Sequence, residues 1–596
     1  MYKKIIFWGF LFFNISVFAQ ADIEFKPIVV TKKHFYLLKD YTVDTELLKI
    51  NSADGLLNSA KYSPLELTSR SSFADIQHDF SLRASNFEGV VVLLNERKIN
   101  DPQTGHHNSD IPLTVLDIER IEIFPAGGSS LFGPATIAGA INIVSKEEFD
   151  KKNTIEISTA SNALKSILFG LSDINFGNLC MKFSSEVKES DGFYYDTDFK
   201  KYTFNIDSRG DLNFAKFAMF LGYQEKEFGA YDFYTPFKGY PSKEWTKTYL
   251  INTDFDFYII EDLSLRQNFL WRRHYDKFLL DKTLLRSKYL NHHQTDTFSP
   301  LIYLKGKDFL NGQFGLGFEY NQDRIVSTNL GLHQRNYQGI FLEERNDLDS
   351  FSYGISYRSD YINKDILSSG LLNIRFPLAE NKRLSSGLSR SIRMPSFTEL
   401  YYNDPVTEGN PELKPENAYK YELDYEYDDK EKELFYFLSI FFRKEEDFID
   451  WVKQDPAQLK WKAKNITSAK VRGVELGCKR KLKSFLNLDL FYTYVDRKIE
   501  TKQYNYKYGL NYTRHKFFCN FDFLYKRCRY FLGISYYKKP HRDGWLLSDL
   551  NFIYKTPKEN MEIFFKISNL FNKEYQEIEG IPSPKRVLNL GLRLRW

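Results

Sequence analysis

The chain predicts an all-β transmembrane barrel of about 22 antiparallel strands enclosing a smaller N-terminal α+β element. Three observations carry this. First, 17% of the 596 residues are aromatic, yet the mean hydropathy is polar at −0.45. That combination suits strands whose lipid-facing and lumen-facing residues alternate. Second, short blocks of period-two alternation recur from about residue 151 onward. Third, Leu116 to Ser145 is a glycine-rich segment between two apolar strand signals, suited to a compact element folded inside something else.

The alternation is readable residue by residue. Tyr249, Ile251, Phe255 and Phe257 share one face, opposite Asn252, Asp254 and Asp256. Tyr419 to Tyr427 alternates Tyr and Leu with Lys420, Glu422, Asp424 and Glu426, and Tyr504 to Tyr512 reads as a further strand of the same kind. Charges at every second position face a wet or protein-filled interior. The chain closes on Leu588, Leu590, Leu592, Leu594 and Trp596 alternating with Asn589, Gly591, Arg593 and Arg595. At roughly 20 residues per strand, 151–596 holds about 22 strands, the size of a barrel with a plugged lumen.

Past the N-terminus there is no apolar run of roughly 18 residues, which excludes a helical membrane protein. Met1 to Ala19 has Lys3 and Lys4, an apolar run from Ile5 to Phe13, and a small-residue approach to Ala19. It reads as a secretory signal cleaved after Ala19. The cysteines Cys180, Cys478, Cys519 and Cys528 have no metal-ligand spacing; Cys519 and Cys528 could pair across strands, but free thiols are the favoured reading. A net charge of +4 spread along the chain argues for no nucleic-acid partner.

The segment LDIERIEIFPAGGSSLFGPATIAGAINIVS, Leu116 to Ser145, resembles the final plug segment of TonB-dependent outer-membrane receptors. Phe80 to Ala84 resembles the family's I-R-G strand. Arg393 to Tyr401, Gly409 to Glu416, Asn465 to Glu475 and Ser568 to Tyr575 resemble its R-x-P-S-F-x-E-L, GNP-x-L-KPE, N-x-x-x-A-x-x-x-G-x-E and N-L-F-N-x-x-Y segments. Their prolines and glycines set turns, so the structural role is preferred for them. The terminal aromatic strand resembles the one by which outer-membrane barrels are recognised for assembly.

The resemblance implies a signal in 1–19, a TonB-box segment and linker in 20–40, a plug in 41–150 and an outer-membrane barrel in 151–596. Ile28, Val29, Val30 and Thr31 stand where the TonB box lies, an extended segment that a partner grips by strand addition. The implied partners are TonB with its ExbB-ExbD motor, outer-membrane lipid, and a surface lipoprotein that delivers substrate. Two departures stand out. Ala84 replaces a usual glycine, and Pro125-Ala126-Gly127 replaces R-G-P, so an arginine common at plug–barrel contacts is missing.

Asp101 to Asp110 reads as a loop on its Pro, Gly and polar content. It resembles the DPQTGHHN-D-P segment of the cobalamin-receptor branch seen in Bacteroidota, where the plug loop faces the extracellular cavity. The candidate substrate contacts are therefore Asp101, Gln103, Thr104, His106, His107 and Asn108, with Arg70, Ser71, Ser72 and Phe73 in a second plug segment. The aromatic stretch with Tyr231, Phe233 and Tyr234 is a barrel-loop candidate. Adjacent side chains on a loop rarely converge on one ion, so no metal site and no cofactor is expected, and loop calcium is left open.

The implied activity is energised import of a scarce nutrient, cobalamin or a related corrinoid, with a ferric siderophore or haem as the alternative. No G-x-S-x-G or H-E-x-x-H pattern points to catalysis. A barrel enzyme would lack the plug segment. A surface adhesin would bind without needing Ile28 to Thr31.

Overall fold

The computed structural model describes residues 41–51, 55–71, 76–125, 127–212, 214–260, 262–284, 289–307, 312–501 and 503–596. The signal, the TonB-box candidate Ile28 to Thr31, and Ser72 and Phe73 lie outside the described residues.

Five plug strands form one sheet in the order β1-β6-β7-β4-β5: β1 is Tyr41–Asp44, β4 Val90–Leu94, β5 Arg97–Lys98, β6 Ile118–Phe124 and β7 Gly139–Ser145. A separate hairpin joins β2 (Glu66–Ser71) to β3 (Gln77–Ser81). Val90 to Leu94 is fully buried, as its unbroken apolar run requires of a central strand, and it pairs in parallel with β7. The helix α1 (Thr45–Asn51) buries Leu47 and Leu48, and α2 (Gly128–Phe132), in the connection from β6 to β7, packs Leu131 and Phe132 in a cluster with Leu371 of the barrel wall.

Two tight places explain unusual residues. Asn95 and Glu96 both have positive φ (49° and 69°) in the two-residue turn between β4 and β5. The hairpin there imposes that conformation on two residues that are not glycine. At Gly139, φ is +149° and a Cβ would stand 2.1 Å from the Phe124 carbonyl oxygen, so only hydrogen fits.

Among the described residues, 22 long antiparallel strands close the barrel, from Thr154–Ala160 round to Val587–Arg595, whose Arg595 pairs with Thr154. The pleat sorts the side chains as the alternation predicts. Ile302, Ile340 and Leu342 are more than half exposed on the outer face, whereas Arg358, Arg443, Lys188, Lys201 and Lys226 are buried on the inner one. One rim has short turns, such as that joining Phe176 to Leu179. The other carries the long connections 230–242, 394–415, 500–514 and 569–586. Short turns belong on the periplasmic side and long loops outside.

The expected strand Tyr504 to Tyr512 is a correction. Only Asn505–Tyr506 is extended, and the rest is an irregular loop on the long-loop rim. Asp450 accepts the backbone N–H groups of Tyr508 and Gly509, and Tyr508 meets the plug's Phe87 edge-on at 5.0 Å. The alternating tyrosines pack a loop onto the plug. All four cysteines are free; Cys519 pairs in register with Ile534 and Cys528 with Tyr525, so the strands never set the two thiols opposite each other.

The plug is held by one continuous apolar cluster. Val43, Leu47, Leu57, Tyr62, Ile121 and Ile143 of the plug pack against inward Phe437, Phe491, Phe518, Phe531 and Phe564 of the wall.

Replacing Gly139 with alanine should loosen the β6–β7 turn at a cost on the order of 1–3 kcal/mol from backbone strain alone. Limited proteolysis of the solubilised protein should then cut the plug faster while the barrel stays intact.

Candidate functional site

The loop 101–110 folds around its own polar side chains. Asn108 Oδ1 accepts the Asp101 N–H at 2.9 Å, and Asp101 Oδ1 accepts the Gln103 N–H at 2.8 Å. Thr104 then caps the single helical turn Gly105–His107. The loop meets the short helix α3 (Phe397–Tyr401), which lies within the first family-like barrel segment. Phe397 and Thr398 donate their N–H groups to the carbonyls of Pro102 and Gln103 at 2.9 and 3.0 Å. A capping box between Ser396 and Glu399 starts that helix. Arg393 secures it through Glu399 and Glu416, at 2.9 and 2.5 Å.

The two adjacent histidines point into different surroundings. His106 stacks on Phe87 at 3.9 Å and bonds Asp79 through Nδ1 at 2.7 Å. Asp79 also pairs with Arg70 at 3.3 Å, and Arg70 donates to the Phe233 carbonyl and lies 5.3 Å over the Tyr234 ring. Tyr234 accepts from Gln77 at 2.6 Å. His107 instead faces the barrel wall, between Asp110 at 3.4 Å and Asp276 at 3.3 Å. Asp101 receives Arg272 at 2.6 Å, and Asp110 receives Lys226 at 2.7 Å and His274 at 2.9 Å.

Burial sets the electrostatics of the loop. It pushes His106 down to about 4 against the pull of Asp79. Burial also works against a charged His107, yet Asp276 and Asp110 hold that imidazole well above the ordinary histidine range. Burial opposes ionised Asp101, but Arg272 and His274 keep its carboxyl far below the usual range. Glu88, which accepts from Thr104 at 3.2 Å, rises to about 8 through burial and the nearby Glu399 carboxylate.

Thus the structure brings Arg70, His106, Phe233 and Tyr234 together, and sets Asp101, Gln103 and His107 against the wall strand Leu263–Leu279. Arg70, Asp101, Gln103, Thr104, His106, His107, Asn108 and Phe233 are all buried. Ser71 ends β2. Tyr231 sits on the outer rim, with Tyr195 edge-on at 5.2 Å and Tyr194 at 5.9 Å; Tyr195 is 64% exposed.

The sequence marks the stretch around Arg272 and His274 only as a possible passage from lumen to loop; it does not join Lys226, Arg272, His274 and Asp276 of the wall, or Asp79 of the plug, to this site. The available signal was the i, i+2 spacing of Arg272, His274 and Asp276, which puts all three on the inner face.

A second latch stands where the arginine is missing. Arg83 reaches Glu475 at 2.6 and 2.8 Å and Glu422 at 2.7 Å, with its guanidinium 4.0 Å over Phe441. Burial opposes its charge, but the two glutamates raise it well above the ordinary arginine value. The Pro125 carbonyl takes hydrogen bonds from Arg83 and from Lys420 of the wall, so a barrel lysine stands where the plug has lost a cation. Ala84, at φ 61°, spends the conformational strain of a non-glycine residue to place its methyl in a buried cluster with Phe441, Val471 and Tyr512.

A closed 22-strand barrel filled by a plug, with ion pairs joining the two, defines a gated outer-membrane receptor. Residues 182–570, more than half of the chain, match the family described as TonB dependent receptor-like, beta-barrel, and the chain belongs to that family. Its members are receptors and transporters, not enzymes, and work with TonB. The Vitamin B12 transporter BtuB of Photobacterium profundum is 22% identical over 543 residues, covering 83% of this chain and 82% of that protein. BtuB of Vibrio vulnificus is 22% identical over 438 residues, covering 67% of each. Among solved structures, the siderophore receptor PirA from Acinetobacter baumannii superposes with a TM-score of 0.77 at 13% identity, over 94% of this chain and 98% of that one.

Two outcomes follow from this geometry. Arg83→Ala leaves Glu475 and Glu422 without their principal cation, and should destabilise plug seating by about 3–5 kcal/mol. Hydrogen exchange of β3 should rise while barrel amides stay protected. Glu88 binds its proton more tightly folded than unfolded, so its neutral form favours the fold at low pH. That advantage is lost as pH rises from about 4.5, the ordinary glutamate value, through about 8. Glu88→Gln should abolish that decline, read as a thermal midpoint that no longer falls between pH 5 and 8.5 (roughly the window set by linkage).

Proposed function

We propose that this receptor imports cobalamin or a related corrinoid across the outer membrane. The observation that carries the reading is the alignment with two proteins named as vitamin B12 transporters, one of them over 83% of the chain. The similarity to siderophore receptors is one of fold. The rim chemistry supports a bulky amphipathic ligand: Tyr194, Tyr195 and Tyr231 form a ring cluster on the long-loop side, and Phe237 is 73% exposed. Aromatic faces with hydroxyl edges suit a ligand that is both apolar and rich in amides.

In this reading the substrate lands on the aromatic rim and settles toward the plug segment with Arg70 and the loop Asp101 to Asn108. Binding there changes the accessibility of Ile28 to Thr31 on the periplasmic side, a coupling between separate sites. TonB, driven by ExbB-ExbD, then grips that segment and remodels the plug. A surface lipoprotein that hands over substrate would dock on the same rim.

Calorimetry of the purified receptor with cyanocobalamin, a ferric siderophore and haem tests the substrate. Sub-micromolar cyanocobalamin binding is expected, weakened roughly tenfold when Tyr195 and Tyr231 both become alanine. Tight binding of an iron chelate with none of cobalamin would overturn it. Deleting Ile28 to Thr31 should leave binding unchanged and abolish uptake of labelled cobalamin by cells.

A further inference from the structure

His107 belongs to a buried donor cluster that joins plug and wall. Its Nδ1 lies 3.4 Å from Asp110 Oδ2, and His274 Nε2 lies 2.9 Å from the same oxygen. One donor atom from each of these residues falls within 4.8 Å of the others, a spacing that one small cation can span. The far sides of both rings face carboxylates. Asp276 Oδ2 is 3.3 Å from His107 Nε2, and Asp101 Oδ2 is 2.9 Å from His274 Nδ1. A carboxylate behind each imidazole is the arrangement that orients metal-ligating histidines. Asp110 is steadied through its other oxygen by Lys226.

The groups facing the cluster carry both signs of charge: the carboxylates of Asp101, Asp110, Asp276 and Glu244, the cations Arg272 and Lys226, and the neighbouring imidazole of His293. A metal ion bound here takes the place of the proton that Asp110 and Asp276 otherwise hold on His107. Asp276 Oδ1 is buried and has no hydrogen-bond partner among the described residues.

We propose that His107, Asp110 and His274 bind a divalent transition-metal cation of the zinc class, which fastens the plug loop to the barrel wall. Two imidazoles and one carboxylate are a borderline donor set that favours such an ion over calcium or magnesium. Two ligands come from the plug and one from the strand Leu263–Leu279, so the ion is a crosslink that plug movement must break. His106, turned to Asp79, takes no part.

The test uses the mature receptor in detergent, stripped with chelator, equilibrated with zinc, dialysed, and assayed for metal by plasma emission. About one zinc per chain is expected, and cobalt(II) in its place should give the visible ligand-field bands of a low-coordinate nitrogen–oxygen site. His274→Gln and, independently, His107→Gln should each lose the metal, while His106→Gln keeps it. Circular dichroism and heat-modifiable gel migration select the folded variants. Zinc well below one equivalent in the folded wild type would overturn the proposal, as would full retention in either folded His107→Gln or folded His274→Gln. Metal content is read without any substrate, so the result is independent of whether the receptor carries cobalamin.

Discussion

The constraint on which the rest of the structure depends is that wall and plug must neutralise each other's charge. A barrel of this circumference turns half of every strand inward, and the sequence fills those positions with Lys, Arg, Asp and Glu. Brought together without matching partners, the two surfaces would bury unpaired charge at a cost of several kcal/mol per group. Together they pair: Arg83 with Glu422 and Glu475, Lys182 with Asp117, Lys226 with Asp110, and Arg97 with Glu319. Buried pairs of this kind contribute little net stability but penalise mismatch heavily. They therefore specify how the plug sits more than how tightly.

The tightness comes from elsewhere. The plug's apolar face, built by β1, α1 and the central sheet, packs on inward phenylalanines of the wall. Apolar burial holds the plug body, and ion pairs set its register around the circumference. Such a division suits a part that must be displaced and reseated. The ionic latches open with small net cost if water follows them in, while the apolar contacts resist until force is applied.

Much of this was legible in the sequence. The barrel and its inner and outer faces follow from periodicity, because the pleat is a strict period of two, and the unbroken apolar run Val90 to Leu94 marks a strand buried on both faces. Tyr504 to Tyr512 misled for the same reason: alternation marks two-sided packing, and a loop pressed between plug and solvent has two sides as well. The loop 101–110 was legible as a loop, and as distinctive. Its partners were not. Arg272, His274 and Asp276 look like any inward polar residues of a strand, and only the closed barrel brings them round to His107. The neighbouring histidines of the loop diverge, His106 toward Asp79 and His107 toward Asp110 and Asp276, a difference that their adjacency in the sequence does not show.

The position of loop 101–110 gives a physical path from the long-loop rim into the plug. Above it, α3 donates backbone hydrogen bonds to Pro102 and Gln103, and Arg393 ties that helix to the wall through Glu399, whose carboxylate lies near Glu88. Beside it, Asp79 of β3 holds both His106 and Arg70. Next to it, β3 pairs with β2, whose Glu66 accepts the N–H of Thr513 in the long connection 500–514. A ligand that shifts α3 would therefore act on the loop, and through Asp79 on the β2–β3 hairpin. The contacts along this route are hydrogen bonds and ion pairs with near-balanced alternatives in water. A modest difference in ligand contact between two plug positions is then enough to favour one, since coupling of this kind needs only about 1–3 kcal/mol. The same hairpin carries Phe80 and Leu67 into the apolar cluster around Phe437 and Phe491, so movement along this path is resisted by the contacts that hold the plug body.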